Sequence, residues 1–328
     1  MSFQILSLSG GGYLGLYSIA LLSELERQSG RPLASRFDLL AGTSIGGIVA
    51  LALANEVPAQ HIQSAFEQNG EAIFGSRKPT RSKLSVMMEL CRNAFKSRYT
   101  ADALRATIED MVGADLRIGE LLHPVLVPTI NLSKGSPQIF KTPHHENFRF
   151  DLNLHVVDVA MATSAAPTFF PLAKIGDALY TDGGLYANSP DLLALHEATY
   201  YFNQPESEIT LLSVGTTTSQ FSFAHTNARE FGIAQWFRGH RLLNVIIASQ
   251  QRSVDFMIKH RLNENYLRLD EIQSKEQEEL LGLDVATIDA QRTIRALASG
   301  TAQRSINEPL LQTMLLTRQP YRYDIMAA

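Results

Sequence analysis

The chain has 328 residues, of which 45% are hydrophobic and 19% are charged, as is ordinary for a soluble globular enzyme. The formal net charge of −4 excludes a general attraction to nucleic acid or to an anionic membrane, so any such contact must come from a local patch. The single cysteine, Cys91, excludes an internal disulfide and is natural in a reducing compartment.

The first residues run directly into a strand-like pattern without a basic region, so we expect no signal peptide. The most apolar run, residues 39–54, contains glycines and falls short of the roughly 18 residues that a membrane-spanning helix needs. We therefore expect a cytoplasmic protein, in which any membrane contact is peripheral.

Residues 4–9 predict the first strand, and a glycine-rich turn at residues 10–15 leads into an amphipathic helix that ends at Gly30. The turn fits G-x-G-x-x-G, the dinucleotide-binding pattern, which needs an acidic residue at the end of the second strand. Asp38 opens that strand instead, which disfavours a dinucleotide. Two interpretations remain: successive glycine N–H groups form an anion cradle, or the turn is tight and binds nothing.

Residues 37–53 form the strongest pattern in the chain. A short apolar run predicts a buried strand, a dense apolar segment predicts a helix, and G-x-S-x-G lies between them, from Gly42 through Ser44 to Gly46. A serine on such a sharp turn presents its hydroxyl above the sheet, and the flanking glycines let the backbones pass closely. The alternative is a buried serine in a structural turn. If the first two strands are parallel neighbours, the two glycine turns lie side by side.

Two later segments of the chain are rich in basic residues. Residues 75–98 predict a basic amphipathic helix, which is either a membrane-surface or lid element or a core-packed helix with solvated cations; Cys91 lies on its apolar stripe. Residues 223–261 predict a helical region with a second basic set that includes Arg229, Arg238 and Arg241. Residues 270–328 are predicted to be helical, with breaks at Gly282 and Gly300.

The middle of the chain alternates helices and strands. Residues 100–122 and 190–201 predict helices, and 124–132, 139–142, 209–215 and 266–269 predict strands. His144, His145 and Glu146 form a cluster in a loop flanked by proline and asparagine. Because no second cluster lies at metal-ligand spacing, we interpret it as a surface loop and expect no metal.

A third small-residue segment, residues 162–171, precedes a predicted strand that enters Asp182-Gly183-Gly184. An aspartate at a strand end with two glycines behind it can turn into a site. Composition alone favours a plain turn.

A serine hydroxyl needs a base within hydrogen-bond reach before it can act as a nucleophile. None of the histidines after Asp182 lies in a glycine-framed turn after a strand, where a triad histidine is expected; these are His196, His225, His240 and His260. A carboxylate could serve directly if burial raises its pKa above the ordinary value of about 3.9.

Four separated motifs together resemble the patatin-like phospholipases: the glycine loop at 10–15, the serine turn at 42–46, the segment 162–171, and Asp182-Gly183-Gly184 with 187–190 and the strand at 213–216. The resemblance implies a Ser–Asp dyad without histidine, with Ser44 as nucleophile and Asp182 as base. It also implies oxyanion N–H groups from the loop Gly10, Gly11 and Gly12, and no metal in the chemistry. One position departs from the pattern: Leu14 stands where the family often has Arg or Lys.

The resemblance implies a three-layer α/β fold, with a mainly parallel sheet between helices, in a single domain over residues 1–328. The catalytic core is expected at about 4–216 and a helical regulatory part at about 223–328. It further implies hydrolysis of membrane phospholipids at the inner face of the cell membrane, without a catalytic cofactor.

The form of the glycine loop and the basic C-terminal third look like a bacterial subgroup of antiphage effectors that a cyclic dinucleotide activates. In that interpretation Arg229, Arg238 and Arg241 bind the nucleotide, and a homo-oligomer is a possible active form. No DNA or RNA polymer is expected as a partner. Two alternatives stay open: a constitutive lipid acyl hydrolase, and a non-catalytic nucleotide-binding module.

Overall fold

A computed structural model describes residues 2–75, 97–217, 231–232, 235–236 and 241–317. Residues 76–96 of the predicted basic helix, with Cys91, and the residues Arg229, Arg238, His225 and His240 lie outside these ranges. The strands are β1 (Phe3–Leu8), β2 (Leu39–Gly42), β3 (Val125–Asn131), β4 (Ser136–Lys141), β5 (Ala173–Ile175), β6 (Ala178–Asp182), β7 (Ile209–Val214) and β8 (Tyr266–Leu269).

The helices of the described ranges are α1 (Gly15–Ser29), α2 (Ile45–Ala54), α3 (Ala59–Phe74), α4 (Asp102–Val112), α5 (Val156–Thr163), α6 (Gly184–Ala187), α7 (Asp191–Tyr200), α8 (Arg241–Leu262), α9 (Lys275–Leu280), α10 (Ile288–Ser305) and α11 (Pro309–Gln312). Within these ranges, no helix combines the length and the apolar character needed to cross a membrane.

All eight strands join one sheet, in the order β5-β6-β3-β2-β1-β7-β8, with β4 paired to β3 outside this path. The pairs β3-β2, β2-β1, β1-β7 and β7-β8 are parallel, whereas β4, β5 and β6 pair antiparallel. Since β1 and β2 are parallel neighbours that end together at Leu8 and Gly42, the two glycine turns lie side by side, as the sequence predicts.

Strand β3 explains how two distant parts of the chain meet. One edge of β3 pairs with β4 from Leu126 to Asn131, so β2 and β6 must both pair with its other edge. There β2 pairs with Val125 and Leu126, and β6 runs in the opposite direction against 129–131. Consequently β2 and β6 approach each other head-on, and their C-terminal ends meet beside Pro128.

Alternating side chains of the strands face two apolar layers. Leu6 and Leu40 point to one layer, which packs against α1, α2, α3, α4, α5 and α10. Ile5 and Leu39 point to the other, which packs against α7 and the C-terminal half of α8. The three-layer fold with helices on both faces of the sheet is therefore confirmed.

The C-terminal part of the chain is built into these layers. Strand β8 extends the sheet beside β7, so the sheet continues past residue 216. Helix α10 packs along α1, where the Tyr17 hydroxyl donates to Thr301 Oγ1 at 2.9 Å. The predicted break at Gly300 is wrong, because packing of Ala298 and Ala302 against the core outweighs the roughly 1 kcal/mol helix penalty of glycine.

Two other predictions need correction. The helix predicted over residues 100–122 ends at Val112, where Gly113 adopts a positive φ of 86°. His144 does not lie on the surface: its ring is buried, bonds with Thr142 and Glu197, and stacks on Phe202. Burial lowers the pKa of His144.

Candidate active site

Ser44 lies on the turn between β2 and α2, and its backbone has φ 56° and ψ −126°. A positive φ is uncommon for a residue with a side chain and indicates a strained turn. Glycine is required on both sides: a Cβ on Gly42 would lie 2.1 Å from the Gly46 carbonyl oxygen, and one on Gly46 would lie 2.4 Å from the Leu8 carbonyl oxygen. The G-x-S-x-G pattern is thus the condition for packing this turn against β1.

Hydrogen bonds of Thr163, a residue that the sequence pattern did not single out, stabilise the Ser44 turn. The Ser44 N–H donates to Thr163 Oγ1 at 3.0 Å, and the Thr163 hydroxyl donates to the Pro128 carbonyl oxygen at 2.7 Å. Thr163 is the last residue of α5, within the small-residue segment 162–171. Because Ser164 and Thr168 in the same segment also carry hydroxyls, no signal in the sequence singles out Thr163.

Asp182 is the last residue of β6 and faces Ser44 across the point where β2 and β6 meet. Burial raises the pKa of its carboxyl to about 6, while a hydrogen bond with the Ser44 side chain and one from the Gly184 N–H act in the opposite direction. The Gly184 N–H lies 2.7 Å from Asp182 Oδ1. A Cβ on Gly183 would lie 2.3 Å from the Pro128 carbonyl oxygen, so the chain must be glycine there.

The glycine loop lies against the serine. A Cβ on Gly10 would be 3.1 Å from the Ser44 Cβ. The Gly10 N–H donates to the Asn188 carbonyl oxygen at 2.9 Å, and its carbonyl oxygen accepts from Asn188 Nδ2 and Thr216 Oγ1, both at 3.1 Å. Gly10 is therefore fully engaged in holding the loop.

Gly11 and Gly12 differ from Gly10 in that both line the open cleft above Ser44. Within the described residues neither of their N–H groups donates a hydrogen bond to the protein. Gly12 has a positive φ of 55°, and a Cβ there would lie 2.2 Å from the Leu283 carbonyl oxygen. These two free donors beside a serine hydroxyl are suited to an oxyanion.

The cleft encloses about 660 Å³ up to its open mouth. Its wall is mostly apolar and comes from several helices and loops: Ile45, Ile48, Phe74, Leu104, Ala166, Pro167, Phe169, Phe170, Leu185, Leu243, Ile247 and Leu283. Among the described residues that line it there is no histidine, lysine or arginine. An apolar chain fits such a space.

The other predicted residues lie elsewhere or cannot be placed. His196 and His260 are exposed on α7 and α8. Leu14, at the position that departs from the resemblance, is buried in the core. Arg241 begins α8, with its guanidinium carbon 5.6 Å from the centre of the Phe231 ring. In the described ranges no group of three or more His, Cys, Asp or Glu side chains is placed to hold a metal ion.

Comparison with known proteins agrees with this geometry. Residues 6–195 match the family described as patatin-like phospholipase. A "cGAMP-activated phospholipase" of Pseudomonas aeruginosa is 38% identical over 313 residues, covering 95% of this chain and 91% of the relative. Proteins with the same name from Escherichia coli and Vibrio cholerae are 33% and 38% identical and cover 97% and 81% of this chain, and 94% and 81% of their own.

Proposed function

Because the chain belongs to the patatin-like phospholipase family, whose members hydrolyse esters, we propose that it cleaves acyl ester bonds of membrane phospholipids with Ser44 as nucleophile and Asp182 as base. The observation that carries the proposal is that Ser44 and Asp182 are both buried and both line the base of the same apolar cleft. The raised pKa of Asp182 makes it a far better proton acceptor than an aspartate in water.

Acylation begins when Ser44 Oγ attacks the ester carbonyl carbon and its proton passes to the Asp182 carboxylate. The carbonyl oxygen becomes negative and accepts hydrogen bonds from the N–H groups of Gly11 and Gly12, each worth roughly 3–4 kcal/mol in comparable sites. The intermediate then collapses: the bond to the alkoxy oxygen breaks, and the proton on Asp182 goes to the leaving lysophospholipid. The fatty acyl group remains on Ser44.

Deacylation repeats these steps with water. Asp182 takes a proton from a water molecule as the oxygen attacks the acyl carbon, and the Gly11 and Gly12 N–H groups again bind the oxyanion. The ester bond to Ser44 Oγ then breaks, Asp182 returns the proton to the serine, and the fatty acid leaves. No metal or other cofactor takes part in the proposed steps.

The substrate is proposed to enter from a membrane surface, with the protein at the inner face of the cell membrane in the cytoplasm. Leu243 and Ile247 of α8 line the cleft, and the neighbouring Leu242 is 40% exposed at the start of the same helix. These apolar side chains support a peripheral contact through which one acyl chain leaves the bilayer and enters the cleft.

The test measures fatty-acid release from phospholipid vesicles by mass spectrometry. Ser44→Ala and Asp182→Ala should each abolish release and keep the unfolding midpoint, and Ser44→Ala should also prevent labelling by a fluorophosphonate. Ser18→Ala is the matched control, because this buried serine donates to the Gly215 carbonyl oxygen away from the cleft. Full activity in either site variant would reject the role of that residue.

We also propose that a cyclic dinucleotide activates the enzyme, because three relatives that cover most of this chain are named for activation by cGAMP. Arg241, together with Arg229 and Arg238 outside the described ranges, is the proposed binding set. Arg241 belongs to the same domain as the site in this proposal, since α8, which it begins, and β8 pack into the central layers.

Fatty-acid release with and without a panel of cyclic dinucleotides, cGAMP among them, tests the activation. We expect little release until the correct nucleotide is added. Full activity without any nucleotide would favour a constitutive lipid acyl hydrolase, and nucleotide binding without serine labelling would favour a non-catalytic module. Light scattering in the same samples tests whether a homo-oligomer accompanies activation.

A further inference from the structure

Helix α8 faces the candidate site with three residues at helical spacing. Leu243 and Ile247 line the cleft, and Gln250 lies one turn further along the same face, partly buried. Leu243 and Ile247 are suited to contact the acyl chain of the proposed substrate. The partly buried side-chain amide of Gln250, in contrast, requires hydrogen-bond partners.

Gln250 finds both partners on the segment that follows the proposed base. Its Nε2 donates to the Leu185 carbonyl oxygen at 2.6 Å, and its Oε1 accepts from the Asn188 N–H at 3.2 Å. These groups belong to α6 and the residue after it, and a four-residue helix leaves such backbone groups without intrahelical partners. One glutamine amide therefore completes the hydrogen bonding of this turn from outside.

The turn that Gln250 holds has a functional group at each end. At its start, Gly183 follows Asp182, and the Gly184 N–H binds the Asp182 carboxylate. At its end, Asn188 makes two hydrogen bonds with Gly10, next to the free N–H groups of Gly11 and Gly12. A shift of the turn would move the base and the oxyanion donors together.

We propose that Gln250 is a positioning residue, which sets the 184–188 turn so that Asp182 and the Gly11 and Gly12 N–H groups face Ser44 at the same time. The inference rests on the proposed function of that site. It makes the docking of α8 a condition of activity. Apart from bonds within residues 183–188, the other hydrogen bonds of the turn among the described residues all come from the sheet side, from Thr43, Asp182 and Gly10. A displacement of about 1 Å in such a constellation lowers the rate about 100-fold.

The main test replaces Gln250 by leucine, which fills similar space and cannot hydrogen-bond. Gln251→Leu is the matched control, because Gln251 is the adjacent residue of the same helix, is buried, and has an Nε2 without a hydrogen-bond partner among the described residues. With a soluble nitrophenyl ester and saturating cGAMP, Gln250→Leu should lower kcat 10- to 100-fold and change KM less than twofold. Gln251→Leu should stay within threefold of the parent chain in both.

A second variant tests the hydrogen bonds themselves. In Gln250→Glu the neutral acid can donate to Leu185 and accept from Asn188, as glutamine does, whereas the carboxylate repels the Leu185 carbonyl oxygen. The activity of Gln250→Glu relative to the parent chain should therefore rise at least fivefold between pH 8 and pH 5.5. A constant ratio would contradict a role for the amide in holding the turn.

Hydrogen exchange separates this inference from the function on which it rests. In Gln250→Leu, amides of residues 9–14 and 183–190 should exchange at least tenfold faster than in Gln251→Leu. Unchanged exchange, with kcat within threefold of the parent, would overturn the inference, while loss of activity in Ser44→Ala would leave the function standing. If the parent chain hydrolyses no ester, the function fails, and the exchange rates alone decide whether Gln250 holds the turn.

Discussion

Two buried aspartates on the same stretch of chain, Asp182 and Asp191, have opposite surroundings. Among the described residues, two polar groups lower the pKa of Asp182: the Ser44 side chain and the Gly184 N–H. Neither of them is a cation. Asp191 accepts hydrogen bonds from the hydroxyls of Ser7 at 2.6 Å, Ser189 at 3.1 Å and Tyr266 at 3.2 Å. Both carboxylates are almost fully buried.

Asp191 also belongs to an ionic network. Arg268 is partly buried nearby and donates to Ser213, Ser189 and Asp270. Burial by itself would lower the pKa of Arg268, but the carboxylates of Asp270 and Asp191 raise it overall. The comparison teaches that burial does not identify a reactive carboxylate. What distinguishes Asp182 is that few groups stabilise its charge, so it can exchange a proton with the serine.

The largest effect should come from Asp182→Asn, which keeps the shape and removes the proton acceptor. We expect fatty-acid release to fall at least about 1000-fold, as for other members of catalytic dyads and triads. The folding stability should not fall, because the variant removes a buried charge. Initial rates and thermal unfolding of the same sample check both parts, and a variant with a tenth of the parent activity would contradict the assignment.

Asp191→Asn should show the reverse pattern. It keeps hydrogen-bonding capacity but leaves the charge of the partly buried Arg268 with less compensation, so we expect a loss of about 1–3 kcal/mol of unfolding free energy. Urea unfolding measures this. At temperatures where the variant is folded, activity should stay within about fivefold of the parent chain, and equal stability of the two proteins would show that the network is dispensable.

The pH dependence sharpens the same contrast. Since Asp182 must be ionised to act as a base and its pKa is about 6, kcat/KM should fall about tenfold per pH unit below pH 6. Its folded pKa is raised above the unfolded value of about 3.9, so this group adds stability as pH falls through that window. As the pH falls from 7 to 5, the parent chain should therefore gain stability relative to Asp182→Asn. Over the same range the activity of the parent chain should fall. A pH profile that is flat across this range would exclude Asp182 as the base.

The smallest predicted effect concerns the support of the serine turn. Thr163→Val removes the acceptor of the Ser44 N–H and the donor to Pro128, so we expect a loss of about 1–3 kcal/mol of stability and a five- to tenfold lower kcat. Thr163→Ser retains the hydroxyl and should behave like the parent chain. Stability and kcat of Thr163→Val equal to those of the parent chain would show that these two hydrogen bonds are dispensable.

Much of the fold follows from the sequence because its signals are local. Short apolar runs predict β1, β7 and β8 to within a residue or two, and G-x-S-x-G predicts the strand-to-helix turn at Ser44. Asp182-Gly183-Gly184 carries less information, because the same residues suit an ordinary turn. There the joint resemblance of four motifs, rather than the local pattern, indicates a base.

Other features depend on contacts that no local pattern records. Gln250 binds backbone groups of Leu185 and Asn188, which have no side-chain signature, so a glutamine within a helix gave no indication of its position. His144 is buried because Glu197, far along the chain, reaches its ring. Gly300 stays helical because tertiary packing of the helix outweighs the low intrinsic helix propensity of glycine.

The shared edge of β3 makes enzymatic activity a sensitive reporter of complete folding. Ser44, the proposed nucleophile, follows a strand that is parallel to β3, and Asp182, the proposed base, ends one that is antiparallel, so neither strand alone can assemble the pair. A slip of β6 by two residues would preserve which side chains face the core, yet it would move the carboxylate about 7 Å along the strand. A misaligned chain would thus be compact and well packed but would lack the proposed Ser44–Asp182 pair.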